Sequence, residues 1–477
     1  MLDRPRFPPA VGFDQEHCND PATLIQRGHQ MQKAGYPEEA VRIAHEAAAL
    51  TLRTASSHDA LGTLFSLCDD PASALAFFER AVRMEPFNCG FQYNLATAYR
   101  MLGNIDAAEA CLVRVLKSNP ADVSAYHMLS DLRTQTKDNN HIRAMRGMLS
   151  SVRRGSMDEI VIRFALSKEL EDIHDYARSF EHLSAACALY RRRLRYDVYD
   201  DIHTMQRLVH VHRDQQLAAN SDCPLDEPVF VLGLPRTGTT LVDRILCGHS
   251  QLSSVGESLS FPLACIRTVQ RGVEHTTKLE FVNRSWAVDP AALGIRYLRS
   301  VHATRSPTTG RFVDKQPMNM LYAGLIHRAL PRARFVLVMR DPMDACYALF
   351  KTLFVGAHPY SYDFHDLGHY FAAWTRLARH WQNLLGDRLL VVEYENLVTH
   401  SEAVARQIIS HCGLPWESTC LDSHLQRSAV TTASAVQVRQ PIHTSSVGKW
   451  RHYQKQLRLL RALLENLEPP SGWNLYH

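Results

Sequence analysis

A spacing of 34 residues recurs through the first part of the chain and restricts the fold more than any single motif does. Ala40, Ala74 and Ala108 step by it, as do Gly35, Asp69 and Gly103, then Ala47, Ala81 and Val115. Leu61 and Leu95, and Pro86 and Pro120, are separated by the same interval. A period of that length is the signature of stacked supersecondary units, each too small to bury its own apolar face. Within one unit, "FQYNLATAYRMLGNIDAAEACLVRVLKSNP" reads as two amphipathic helices joined near Leu102–Gly103–Asn104, with Ala where the paired helices approach closely.

The pattern resembles the tetratricopeptide repeat, whose small and aromatic positions are matched by Leu95, Ala96, Tyr99, Gly103, Ala107 and Pro120. Residues 121–160 read as a degenerate repeat and Phe164 to Tyr190 as a further divergent one. That makes roughly five repeats across residues 20–212, behind an N-terminal tail of 1–19. Such an array serves either of two ends: a concave surface that grips a peptide, or a contact that holds subunits together as a homo-oligomer. The basic run Arg191 to Arg195 reads as a solvated helix end and is given no role.

Composition matters here for what it excludes. At 477 residues, 45% of them hydrophobic, the chain is long enough for two or three folded domains. Its 53 basic and 49 acidic residues leave too small a net field to make nucleic acid the expected partner. Eleven Cys without a C-x-x-C pair point to a reducing compartment. No signal-like segment and no run of eighteen apolar residues is present, so a cytoplasmic protein without a membrane span is expected.

Residues 213–227 lose helical periodicity and gather Pro, Asp, Ser and Asn, as a linker does. Beyond them, "PVFVLGL", "RARFVLVMR" and "RLLVVEYENL" are near-continuous apolar runs separated by helix-like segments. Such runs suit parallel strands covered on both faces, so residues 228–477 are expected to form an α/β domain with a parallel sheet. Its first strand runs into "LPRTGTT", a Gly-flanked turn at the start of a helix, whose amides can cradle a phosphate. In the nucleotide triphosphate version of this loop a Lys follows the second Gly. Here Thr239 follows Gly238, and the positive charge has moved to Arg236, which suits bidentate recognition of an oxyanion without requiring a metal.

The combination resembles the 5′-phosphosulfate loop of sulfotransferases that use 3′-phosphoadenosine 5′-phosphosulfate, and other marks of that family follow in order. "VGES" carries Glu257 where tyrosylprotein sulfotransferases and their bacterial relatives have the catalytic Glu. "FVDKQPMN" carries Lys315, where the family has a Lys beside the bridging oxygen. "FVLVMRDPMDACYALFK" puts Arg340 at a strand end, as in the 3′-phosphate motif. Tyr394 in "VEYENL", then Ser434 and Lys449, match the later nucleotide-binding segments. The resemblance spans residues 228 to about 455. It departs at Ala348, where the family usually has a Ser, and Lys351 on the same helical face is expected to supply a compensating cation.

The resemblance implies in-line transfer of a sulfuryl group through a loose transition state, in which positioning and charge stabilisation dominate. Glu257 would take the acceptor proton, with Lys315 and Arg236 stabilising the departing phosphate and Thr237, Gly238, Thr239 and Thr240 cradling it. Arg340, Lys351, Ser434 and Lys449 would hold the 3′-phosphate and adenosine end, with Tyr394 beside the nucleotide. Each has a plainer reading. Glu257 and Lys315 are of residue types usually found solvated, Arg340 could pair with Asp341 or Asp344, and Tyr394 could be core. The fused repeats favour a protein Tyr as acceptor over a sugar, lipid or phenol. A kinase or nucleotidase would share the loop but would want the missing Lys, and Ala348 leaves open a repeat scaffold with an inactive transferase domain. His365 and His369 share a helix face near Asp366, but no H-E-x-x-H or Cys partner accompanies them, so no metal is expected.

Overall fold

The computed structural model describes residues 20–212, 228–269, 276–304, 311–426, 428–432 and 435–466. The expected tail at 1–19 and the whole of the expected linker at 213–227 lie outside them. Contacts divide the chain into two compact units: Met1–Gln135 with Arg299–Pro307 and Arg427–Gln437, and Thr136–Leu298 with Thr308–Gln426 and Val438–His477.

The first unit is built from helix pairs, Pro21–Lys33 with Pro37–Ala48, Ala55–Leu67 with Pro71–Met84, and Cys89–Leu102 with Ile105–Ser118, followed by Val123–Leu132. Ala40, Ala74 and Ala108, in register by sequence, are completely buried, because each sits where two helices approach too closely for a larger side chain. Each pair turns through a left-handed residue: Gly35, Asp69 and Gly103 have φ of 76°, 59° and 84°. Asp is among the few non-Gly residues that tolerate this region, so Asp69 can stand in the glycine register. Asp70 and Asn104 then cap the second helices by accepting the Ser73 and Ala107 amides.

The second unit holds a five-stranded parallel sheet. Its strands are β1 (Val229–Gly233), β2 (Leu252–Ser254), β3 (Arg311–Asp314), β4 (Arg334–Met339) and β5 (Leu389–Glu393), in the order β2-β3-β1-β4-β5. β1 and the last five residues of β4 are buried throughout, as expected for strands covered on both faces. Connections leave β1 and β4 in opposite directions across the sheet, which opens a crevice at their carboxyl ends, the place where such sheets bind ligands.

Helices Met157–Asp172, Tyr176–Arg193 and Val198–Val211, part of the repeat array in the sequence reading, belong to this second unit. The unit boundary at Gln135–Thr136 thus lies upstream of the expected linker, because these helices bury their faces against the sheet domain. His212 sits between Trp286 and Trp381 at ring distances of 4.8 and 5.0 Å, and Tyr190 meets Tyr362 edge-on at 4.6 Å. Arg191, expected in a solvated run, pairs instead with Asp366 at 2.6 Å. No described helix is long and apolar enough to cross a membrane.

Candidate active site

The loop after β1 is shaped by two left-handed residues. Arg236 has φ of 69°, unusual for a residue with a side chain, and Gly238 has φ of 105°. A Cβ on Gly238 would lie 2.5 Å from the Tyr394 ring, so the position accepts only glycine on both backbone and packing grounds. Thr237 donates its hydroxyl to the Leu234 carbonyl at 2.7 Å, closing the turn. The helix Thr239–Leu246 then begins behind Gly238 with no side-chain cap hydrogen bond, and Thr239 and Thr240 are both buried in its first turn. This arrangement aims a helix N-terminus along the loop, as anion binding requires.

Next to it, past the ends of β2 and β3, Glu257 and Lys315 come together from 58 positions apart. The Lys315 Nζ donates to Glu257 Oε1 at 2.7 Å. The side chain of Lys315 is only 2% exposed and that of Glu257 is 39% exposed, so the lysine is fixed from within while its partner carboxylate opens to solvent. The Lys315 amide donates to the Gly256 carbonyl at 2.9 Å, and the Gln316 side chain to the Glu257 carbonyl at 3.1 Å, which ties the two loops together. Asp243, fully enclosed beneath them, has its carboxyl pushed up by burial, against the pull of the Lys315 charge and of the Ser254 hydroxyl that donates to it at 2.7 Å.

Asp314 anchors this corner. Its carboxylate accepts from the Tyr297 hydroxyl at 2.8 Å, the Asn319 amide at 3.0 Å and the Gln316 backbone at 3.2 Å. Burial nevertheless pushes it up to about 7 from an ordinary value of 3.8, outweighing those hydrogen bonds. The folded state therefore holds the proton more tightly than the unfolded chain, and ionisation works against folding. As pH rises from about 4 to about 7, the wild type is expected to lose stability relative to Asp314→Asn by about 4 kcal/mol, the penalty being complete above about pH 7. Thermal denaturation of the two proteins across that range checks this, and parallel curves would remove the assignment.

Arg340, at the end of β4, reaches across the crevice. Its Nη1 donates to the Arg236 carbonyl at 2.9 Å and its Nη2 to the Ser446 carbonyl. Its guanidinium lies 4.7 Å from the Tyr394 ring centroid, and its buried Nε has no hydrogen-bond partner among the described residues. The carboxylates that could have paired with it are occupied elsewhere. Asp341 caps its own helix through the Asp344 amide, while Asp344 accepts from the Gly448 and Trp450 amides on either side of Lys449. Tyr394 is wedged between Arg340 and Gly238 and shapes the loop by packing. Lys351 donates to Glu171 at 2.6 Å, and Ser434 lies outside the described residues.

Glu171, Asp344, Asp243 and Asp314 are the site groups that motif reasoning missed. Glu171 lies in a segment whose only visible pattern was a divergent repeat, and nothing in its spacing marks it. Asp344 stands beside the Arg340 motif, where its position in the sequence suggests only a partner for Arg340. Elsewhere, ligand atoms of Asp363, His365 and Asp366 lie within 4.8 Å of one another. Both carboxylates there already have work, Asp363 as a helix cap for the His365 and Asp366 amides and Asp366 as the partner of Arg191.

Residues 228–418 match the family model described as "Sulfotransferase family", and residues 69–132 match "Tetratricopeptide repeat". An uncharacterized protein of Aquifex aeolicus is 27% identical over 402 residues, covering 81% of this chain and 52% of its own length. The chain thus spans about half the length of that relative. Protein-tyrosine sulfotransferase 1 of Danio rerio is 24% identical over 248 residues, covering 48% of this chain and 66% of its own. Among solved structures, the sulfotransferase domain from the curacin biosynthetic pathway is 18% identical with a TM-score of 0.35, covering 50% of this chain and 98% of that one.

Proposed function

We propose that this chain, whose residues 228–418 form a sulfotransferase-family domain, transfers a sulfuryl group from 3′-phosphoadenosine 5′-phosphosulfate to the hydroxyl of a protein tyrosine. The observation that carries this reading is the Lys315–Glu257 pair beside the phosphate loop, a buried cation joined to a solvent-facing carboxylate. In the transfer, the acceptor oxygen forms a new S–O bond as the S–O bond to the 5′-phosphate breaks, and the bonding pair leaves with the phosphate. Glu257 accepts the acceptor's hydroxyl proton. Lys315, Arg236 and the amides from Thr237 to Thr240 stabilise the charge that develops on the departing phosphate. The Nε of Arg340, without a hydrogen-bond partner among the described residues, fits a second phosphate of the nucleotide, with Lys449 nearby.

The acceptor class rests on two observations: similarity to proteins named protein-tyrosine sulfotransferases, and a helical repeat array of the kind that binds peptides. Calorimetric titration tests the donor. Adenosine 3′,5′-bisphosphate, the spent donor, is expected to bind in EDTA with a dissociation constant in the micromolar range or below, about −8 kcal/mol, and ATP with Mg²⁺ much more weakly. Binding of ATP–Mg²⁺ alone would turn the reading to a kinase, and binding of neither would leave a scaffold. Transfer of labelled sulfate to tyrosine peptides, compared with simple phenols and sugars, then tests the acceptor.

A further inference from the structure

Glu171 stands near the end of the helix Met157–Asp172, well upstream of the residues that match the sulfotransferase family. Its carboxylate accepts from Lys351 Nζ at 2.6 Å, from the Tyr347 hydroxyl at 2.6 Å and from the Tyr453 hydroxyl at 3.1 Å. Burial alone would raise this carboxyl, but the Lys351 charge and the hydrogen bonds from Lys351 and Tyr347 bring it down to about 2. Lys449 is within electrostatic reach of Glu171, and in turn of Lys351 and Arg340. Burial and those two cations depress its ammonium, while Glu171 and Asp172 support it. The short helix Lys449–Tyr453 is tethered at both ends, by Asp344 at its start and by the Tyr453 hydroxyl at its close, with His452 stacked on Tyr176 at 4.4 Å.

We propose that Glu171 is a positioning residue for the 3′-phosphate end of the nucleotide site: it holds Lys351 directly and Lys449 through Tyr453, so that both cations stand ready beside Arg340. This rests on the donor reading above and extends the site to a helix outside the family match. Three cations gathered without a counter-charge would repel one another. Lys351, 29% exposed on a flexible stem, would turn to solvent, and the phosphate's binding energy would be spent regathering it. The buried carboxylate meets that cost before the ligand arrives.

The test compares adenosine 3′,5′-bisphosphate with adenosine 5′-phosphate by calorimetry on the full chain, for wild type, Glu171→Gln, Lys351→Met and the double variant. Each single variant is expected to bind the bisphosphate about tenfold more weakly and the monophosphate within about twofold of wild type. The double variant should lose at most about threefold more than Lys351→Met alone, the part carried through Tyr453, rather than the roughly hundredfold total of two independent tenfold losses. Tyr453→Phe, which leaves the ion pair intact, should show a smaller loss of about threefold in the same ratio and keeps the question answerable if Glu171→Gln folds poorly. Unchanged or increased bisphosphate preference in Glu171→Gln, or additive losses in the double variant, would overturn the inference alone. A wild type that does not distinguish the two nucleotides would remove the donor reading and this inference with it.

Discussion

Replacing Glu257 by Gln is expected to lower sulfuryl transfer by about 10²–10⁴-fold while leaving bisphosphate affinity within a few-fold of wild type. The separation of the two effects follows from the geometry. Gln keeps the shape of Glu and can still accept from Lys315 Nζ, now at 2.7 Å, and the Glu257 main-chain carbonyl that receives Gln316 is untouched. Lys315 loses a counter-charge but retains the enclosed Asp243 within electrostatic range. What the amide cannot do is take a proton from the acceptor. Turnover measured with a tyrosine peptide, beside calorimetry on the same preparation, reads both quantities. Full activity in Glu257→Gln would move the base to another group, and loss of affinity matching the loss of turnover would make Glu257 a structural partner of Lys315.

How much of this was legible in the sequence depended on whether backbone or side-chain partnership was at issue. The repeat register was visible because close helix packing demands small residues at fixed intervals, and Ala40, Ala74 and Ala108 are all fully buried. β1, β4 and β5 announced themselves as apolar runs, whereas β2 and β3, of three and four residues, are too short to have a pattern. Family resemblance singles out both Glu257 and Lys315 but does not join them in a hydrogen bond, since the 57 residues between them carry no record of their contact. The affiliation of the helices after residue 136 was hidden for a related reason. A helix that packs on another repeat and one that packs on a sheet domain bury similar apolar stripes, so Glu171 and Arg191 looked like the polar edge of a repeat until their partners Lys351 and Asp366 were in view. Lys351 was expected to serve a phosphate directly, and in the structure its ammonium is held by Glu171, which makes its availability a property of both helices.

Arg340→Ala is expected to weaken bisphosphate binding by about 10²-fold or more, and Arg340→Lys to recover little of it. The guanidinium performs three tasks that share one plane. It donates through Nη1 to the Arg236 carbonyl and through Nη2 to Ser446, it lies over Tyr394, and it leaves Nε without a partner among the described residues. The first two fix the left-handed turn at Arg236 against the segment that leads to Lys449, so their loss loosens both phosphate-binding elements together. A lysine supplies the charge but cannot fork to two carbonyls and stack on the ring at once, which is why charge alone should not restore affinity. Charged hydrogen bonds of this kind contribute about 1.5–3 kcal/mol each, so losing one to the ligand and the preorganisation from the others reaches at least the hundredfold range. Thermal denaturation separates this from unfolding: the folded baseline should persist, because β4 remains buried between β1 and β5 without the side chain at its end. Wild-type bisphosphate affinity in a folded Arg340→Ala protein would transfer the second phosphate to Lys351 and Lys449 and reduce Arg340 to a brace for the loop.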